Sequence, residues 1–146
     1  MKLNHISIVV KNLEQAIKLY SDALGCHQPE SGPYSKIVVF DELGFKERFA
    51  FLQMNDWFLE LVEPIEGSRV RILQEKGEGA PFLIALRADD VQKVSDEMKK
   101  KGIMPVDVHG SPLKDKKYLV SPSGNKYFLL PPEKTGGTYF EFIEPP

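Results

Sequence analysis

The sequence predicts an α+β fold made of two repeated βαβββ modules, and three observations carry the prediction. Each half of the 146-residue chain opens on an apolar, β-branched run, passes through a stretch of helical period and returns to strand-like alternation. Each helical stretch follows a capping residue and ends at a glycine. The heptapeptide FLELVEP at 58–64 is answered by YFEFIEP at 139–145.

Residues 3–10, LNHISIVV, read as a buried strand. Over 12–24 Asn12 is placed to cap, with Gln15 three residues on, and Leu13, Ala16, Ile17, Tyr20 and Leu24 form one apolar stripe that stops at Gly25. Strands are expected at 35–40, 47–54 and 57–63, the last two joined by a turn at Asn55 and Asp56. The second half repeats the order: a strand at 82–88, a cap at Asp89 or Asp90, a sparser stripe of Val91, Val94 and Met98 ending at Gly102, and strands at 103–108, 126–130 and 138–144. The segment 109–125 is polar and stays unassigned. A bridge at 65–80 carries a short helix around 68–76, whose Arg69, Arg71 and Lys76 are either a solvated face or a place for an anion. The expected organisation is one domain over 1–146, with module one at about 1–64, the linker at about 65–80 and module two at about 81–146.

A net charge of -2 supplies no global field for nucleic acid or anionic lipid, so a small molecule is the expected partner. No apolar run approaches the roughly 20 residues of a membrane-spanning helix. The single Cys26 cannot form an internal disulfide, and the N-terminus runs straight into a strand pattern, so the expected location is the cytoplasm. Cys26 itself reads as a small buried hydrophobe.

A carboxylate in the middle of an apolar strand is costly unless it is paired, hydrogen-bonded or metal-bound. Glu60 shares a strand face with Phe58 and Val62, and Glu141 shares one with Tyr139 and Ile143, so each interrupts an apolar face at the same place in the repeat. On the first strand His5 alternates with Ser7 and Val9. With pseudo-twofold packing, His5, Glu60 and Glu141 would share one site, able to hold a divalent metal through one imidazole and two carboxylates. The simpler alternative leaves His5 satisfied near the terminus and both Glu residues facing solvent.

Three stretches carry a resemblance to a known family. LNHISIVVKNLEQAIKLYSDALGC, FLELVEP and PPEKTGGTYFEF resemble the first module, second-ligand strand and closing strand of the vicinal-oxygen-chelate superfamily, in the pattern of methylmalonyl-CoA epimerase and glyoxalase I. The resemblance covers nearly the whole chain and implies a cupped mixed sheet with the helices outside. It implies a divalent metal such as nickel, cobalt, zinc or manganese, with His5, Glu60 and Glu141 as the first, second and fourth ligands. The third ligand position falls on Leu83, and the internal offset that superposes Leu13 on Val91 also superposes His5 on Leu83. Leu cannot bind a metal.

Three explanations stay open: a three-ligand site completed by water or by loop His109, a cleft that has lost its metal, or a shifted register that puts Tyr127 or Phe128 at the fourth position. The implied activity is that of a lyase or isomerase moving a proton next to a carbonyl of a small carboxylate or thioester substrate, with Glu141 and Glu47 as its catalytic carboxylates. Glu47 alternatively belongs to an exposed Lys46/Glu47/Arg48 charge run. Arg87, Trp57 and Tyr139 are candidate substrate contacts. Dioxygenase chemistry needs a second His and is disfavoured by Leu83. The competing reading is a non-catalytic small-molecule-binding protein with a degenerate metal site. Superfamily members pair modules within one chain or between two, so a homodimer is an allowed assembly.

Overall fold

In the computed structural model, which describes residues 1–146, the backbone divides into two compact units, His5–Phe82 and Met1–Asn4 with Leu83–Pro146. Each contains the same arrangement. In the first, strand β1 (Lys2–Val9) leads to helix α1 (Leu13–Leu24), then β2 (Val38–Glu42), β3 (Phe45–Gln53) and β4 (Phe58–Glu66), followed by helix α2 (Ser68–Lys76). β1 pairs with β4 in parallel, β4 with β3 and β3 with β2 antiparallel. The second has β5 (Pro81–Arg87), α3 (Val91–Lys100), β6 (Leu119–Val120), β7 (Lys126–Leu129) and β8 (Tyr139–Glu144). There β5 pairs with β8 in parallel, and β8 with β7 and β7 with β6 antiparallel. No helix is long and apolar enough to cross a membrane.

Local chemistry explains the boundaries. Asn12 accepts from the Gln15 N–H at the start of α1, and Asp90 does the same for Lys93 at the start of α3. Gly25 closes α1 in the left-handed region at φ 66°, its N–H returning to the Ser21 carbonyl. The duplicated heptapeptide has a structural role in both units through its second Glu. Glu63 accepts from the Leu13 N–H at 2.8 Å and pairs with Arg48, while Glu144 accepts from the Val91 N–H at 3.0 Å and pairs with Lys126. Each carboxylate therefore sits at the positive end of its helix and satisfies a donor that has no partner within the helix.

Helices α1 and α3 each pack on one face of the strands of their own unit. Ile8, Val10, Leu13, Ala16, Ala50, Leu52, Leu59 and Leu61 form the helix-side core of the first unit. In the second, Val91 packs with Ala88, Leu113, Phe128, Leu130 and Phe142. Half-buried Cys26 adds to the first core, as expected of a small hydrophobe.

Two expected strands are displaced. β2 runs over Val38–Glu42 rather than 35–40, its end set by the two-residue turn Leu43-Gly44, with Gly44 at φ 77°, which pairs Glu42 with Phe45 and fixes the hairpin register. The stretch 103–108 is not a strand and makes only isolated bridges from Val106 to Pro112 and Leu129. Pro105 has no N–H to give a ladder, and Asp107 Oδ1 accepts from both His109 N and Ser111 N, which turns the chain at once. The strand at that place in the repeat is β6, within the polar segment.

Candidate active site in the first module

The face of β1 opposite α1 carries His5 and Ser7, 2% and 0% exposed. Parallel pairing sets His5 beside Phe58 and Ser7 beside Glu60, and antiparallel pairing sets Phe51 beside Glu60. Strand alternation thus lays His5, Ser7, Phe58, Glu60 and Phe51 on one surface. The aromatic members seal it: Phe51 lies edge-on to His5, Phe49 and Phe58, and Tyr34 packs against Phe51 and Phe58.

Ser7 Oγ donates to Glu60 Oε1 at 2.7 Å, and His5 Nε2 lies 3.9 Å from the same oxygen. Burial, then the positive charge of Arg69, holds the His5 pKa down at about 3, so the imidazole is neutral and its approach to Glu60 is not an ion pair. Burial pushes the Glu60 pKa up to about 7, against the Ser7 hydrogen bond and the Arg69 charge, both of which favour the carboxylate. A carboxyl near half-protonation at neutral pH can both accept and deliver a proton.

Glu47 does not belong to an exposed charge run. A bulge between Lys46 and Glu47 interrupts β3, and Glu47 follows the parity of Phe45, Phe49 and Phe51 into the interior, at 4% exposure. Arg48 takes the other face, where it pairs with Glu14 and Glu63. Glu47 Oε1 accepts from Arg69 Nη1 at 2.6 Å, whereas its Oε2 is buried and accepts no hydrogen bond. Burial raises the Glu47 pKa; the Arg69 charge opposes this and the nearby Glu60 adds to it.

Arg69, on the first turn of α2, is not a solvated charge: it is buried, with its guanidinium 5.3 Å from the Phe45 ring and 5.1 Å from that of Phe82. Its linker neighbours Arg71 and Lys76 are exposed, as charges on such a segment normally are. Sequence reading named Arg69 only within that trio. The available signal was indirect: Glu47 shares parity with three Phe residues, and a carboxylate on such a face calls for a buried cation.

Trp57 packs on the helix-side core with Tyr20 and Met54, because odd positions entering β4 point away from the Glu60 face. In the second unit Glu141 is half-buried, opposite Ala85 and Leu129, and Tyr139 is half-buried opposite Leu83. Arg87 is exposed at the end of β5 and lines, with Met1, Lys2 and Asp89, a cleft of about 410 Å³. His109 is exposed in the 107–111 turn.

The residues present do not fit the metal centre implied by the resemblance. Nowhere in the chain is a group of three or more His, Cys, Asp or Glu side chains arranged to hold a metal ion. The strand registers also fix the repeat equivalence independently of sequence. His5 pairs with Phe58 as Leu83 pairs with Tyr139, and Ser7 with Glu60 as Ala85 with Glu141. Leu83 therefore stands where the second imidazole would be.

An α+β fold of two βαβββ units, with neutral imidazole and buried carboxyls on the inner surface of the first, defines a glyoxalase-like protein. The chain belongs to the glyoxalase/bleomycin resistance protein/dioxygenase superfamily, whose family model matches residues 4–119. It is 25% identical over 120 residues to the mitochondrial methylmalonyl-CoA epimerases of Mus musculus and Homo sapiens, a match covering 77% of this chain. The match spans 63% and 64% of those relatives' lengths. The crystal structure of methylmalonyl-CoA epimerase from Mycobacterium tuberculosis superposes with a TM-score of 0.80 at 21% identity, covering 99% of this chain and 88% of that one. A methylmalonyl-CoA epimerase in complex with methylmalonyl-CoA and NH4+ gives a TM-score of 0.78 at 22% identity, covering 99% of this chain and 94% of that one. These superpositions establish the glyoxalase-like fold.

Proposed function

We propose that the chain is an isomerase of the methylmalonyl-CoA epimerase kind, moving a proton on the carbon next to the carbonyl of an acyl thioester. The observation that carries this reading is the buried carboxyl pair of the first module: Glu47, 4% exposed with one oxygen accepting no hydrogen bond, and Glu60, 7% exposed and accepting from Ser7 Oγ at 2.7 Å. Moving a proton through an enolate needs one group to take it and a second, protonated group to return one. In this reading Glu47 takes the proton and Glu60, with Ser7 fixing its orientation, delivers one. His5 stays neutral and does not compete. Glu141 is the further carboxylate assigned by the family resemblance, and Arg87 and Tyr139 are the proposed substrate contacts from the second module.

The test is to incubate the chain with one epimer of methylmalonyl-CoA and follow the other by chiral chromatography of the hydrolysed acid. Inversion at a rate proportional to protein, lost in Glu47→Gln, is the expected result. An unchanged epimer would refute the reading.

A further inference from the structure

The first module carries a buried cation of its own. Near enough to His5 and Glu60 for its charge to act on both, the chain buries Arg69, held to Glu47 at 2.6 Å and flanked by the rings of Phe45 and Phe82. A guanidinium keeps its charge at every physiological pH and forms directional hydrogen bonds, so it can stabilise negative charge developing on an oxygen without a metal's ligand set. The surroundings favour that role. Arg69 is 6% exposed, and a charge acts far more strongly away from bulk water. The charge also acts on His5, Glu47 and Glu60 alike. The second module, with Leu83 and Ala85 at the places of His5 and Ser7, offers no comparable cluster on its first strand.

We propose that the guanidinium of Arg69 takes the electrostatic place of the metal, making proton transfer by this chain metal-independent. The inference rests on the reaction proposed above. In that step the α C–H bond breaks, its proton passes to a carboxylate, and its electron pair spreads onto the carbonyl oxygen under the field of Arg69. Return of a proton to carbon restores the charge balance, and no oxidant or reductant takes part.

The experiment compares the wild-type chain with Arg69→Lys and Arg69→Gln, each stripped with EDTA and then reloaded with nickel, cobalt, manganese or zinc. Bound metal is measured by elemental analysis after gel filtration, folding by circular dichroism, and turnover by deuterium uptake from D2O at the α carbon of methylmalonyl-CoA. The inference predicts substoichiometric metal and wild-type turnover indifferent to EDTA. Arg69→Lys should keep kcat within about tenfold, whereas Arg69→Gln should lose about 100-fold or more with KM little changed. Should Arg69→Gln fail to fold, the folded Lys variant and the metal arms decide.

Near-stoichiometric metal, with turnover lost in EDTA and regained on reloading, would overturn the inference and leave the proposed reaction standing. An equal loss in the folded Lys and Gln variants would also overturn it, since charge would then not be what Arg69 supplies. Absence of deuterium uptake by the wild-type chain under every metal condition would overturn the reaction and the inference together.

Discussion

Arg69→Met is expected to lower the stability of the chain by about 3 to 5 kcal/mol at neutral pH, read from urea unfolding. The substitution leaves the Phe45 and Phe82 rings an apolar partner of similar length, so most of the loss falls on Glu47. That carboxylate is buried, already lacks a hydrogen bond on Oε2, and would lose the 2.6 Å contact that compensates Oε1. An uncompensated buried charge is the costly product of breaking such a pair, far more than the pair itself contributes. Pairing Arg69→Met with Glu47→Leu therefore recovers a large part of the loss, because it removes the stranded group. Additive costs in the double variant would show that the two residues are not energetically coupled.

Glu60→Gln has a pH signature of opposite sign to the usual acid unfolding. The folded-state pKa of about 7 lies above the ordinary value of 4.5. Between those two pH values the folded chain binds more protons at Glu60 than the unfolded chain does. Stability from this group is thus full below about pH 4.5 and falls as pH rises toward 7. The shift corresponds to about 3 kcal/mol across the window. The amide introduced by Glu60→Gln cannot ionise, so the stability of this variant relative to wild type should rise by about that amount from pH 4.5 to 7 and then level off. Carboxylates with lowered pKa, such as Glu14, Glu144 and Asp96, act in the opposite sense but are common to both proteins and cancel in the difference. A difference that stays flat across the window would place Glu60 in water rather than in the interior.

What the sequence revealed, and what it hid, follows from the range of each interaction. The two modules were legible because caps, glycine stops and strand alternation are local, and the twin heptapeptides exposed the repeat directly. The same duplication pointed to Glu60, and the superposition of His5 on Leu83 reappears as the matching registers beside Phe58 and Tyr139. Trp57 was misplaced although its parity was readable, since adjacent aromatics on a strand cannot share a face. The β6 strand escaped notice because two residues between Tyr118 and Ser121 carry no periodicity. Arg69 was hidden for a different reason: it meets Glu47 from 22 residues away, on a helix whose other charges point to solvent. Nothing within α2 marks it as interior.

Deuterium uptake and inversion at the α carbon of methylmalonyl-CoA in D2O at neutral pH, followed by mass spectrometry and chiral chromatography for the wild-type chain and Glu60→Gln, test the proton transfer most directly. A gain of one mass unit with inversion is expected for the wild-type chain, and Glu60→Gln should lose most of the inversion, because the carboxyl that delivers the proton is gone. Equal rates of inversion in both proteins would contradict the role of Glu60, and no deuterium uptake by the wild-type chain would contradict the proposed reaction itself.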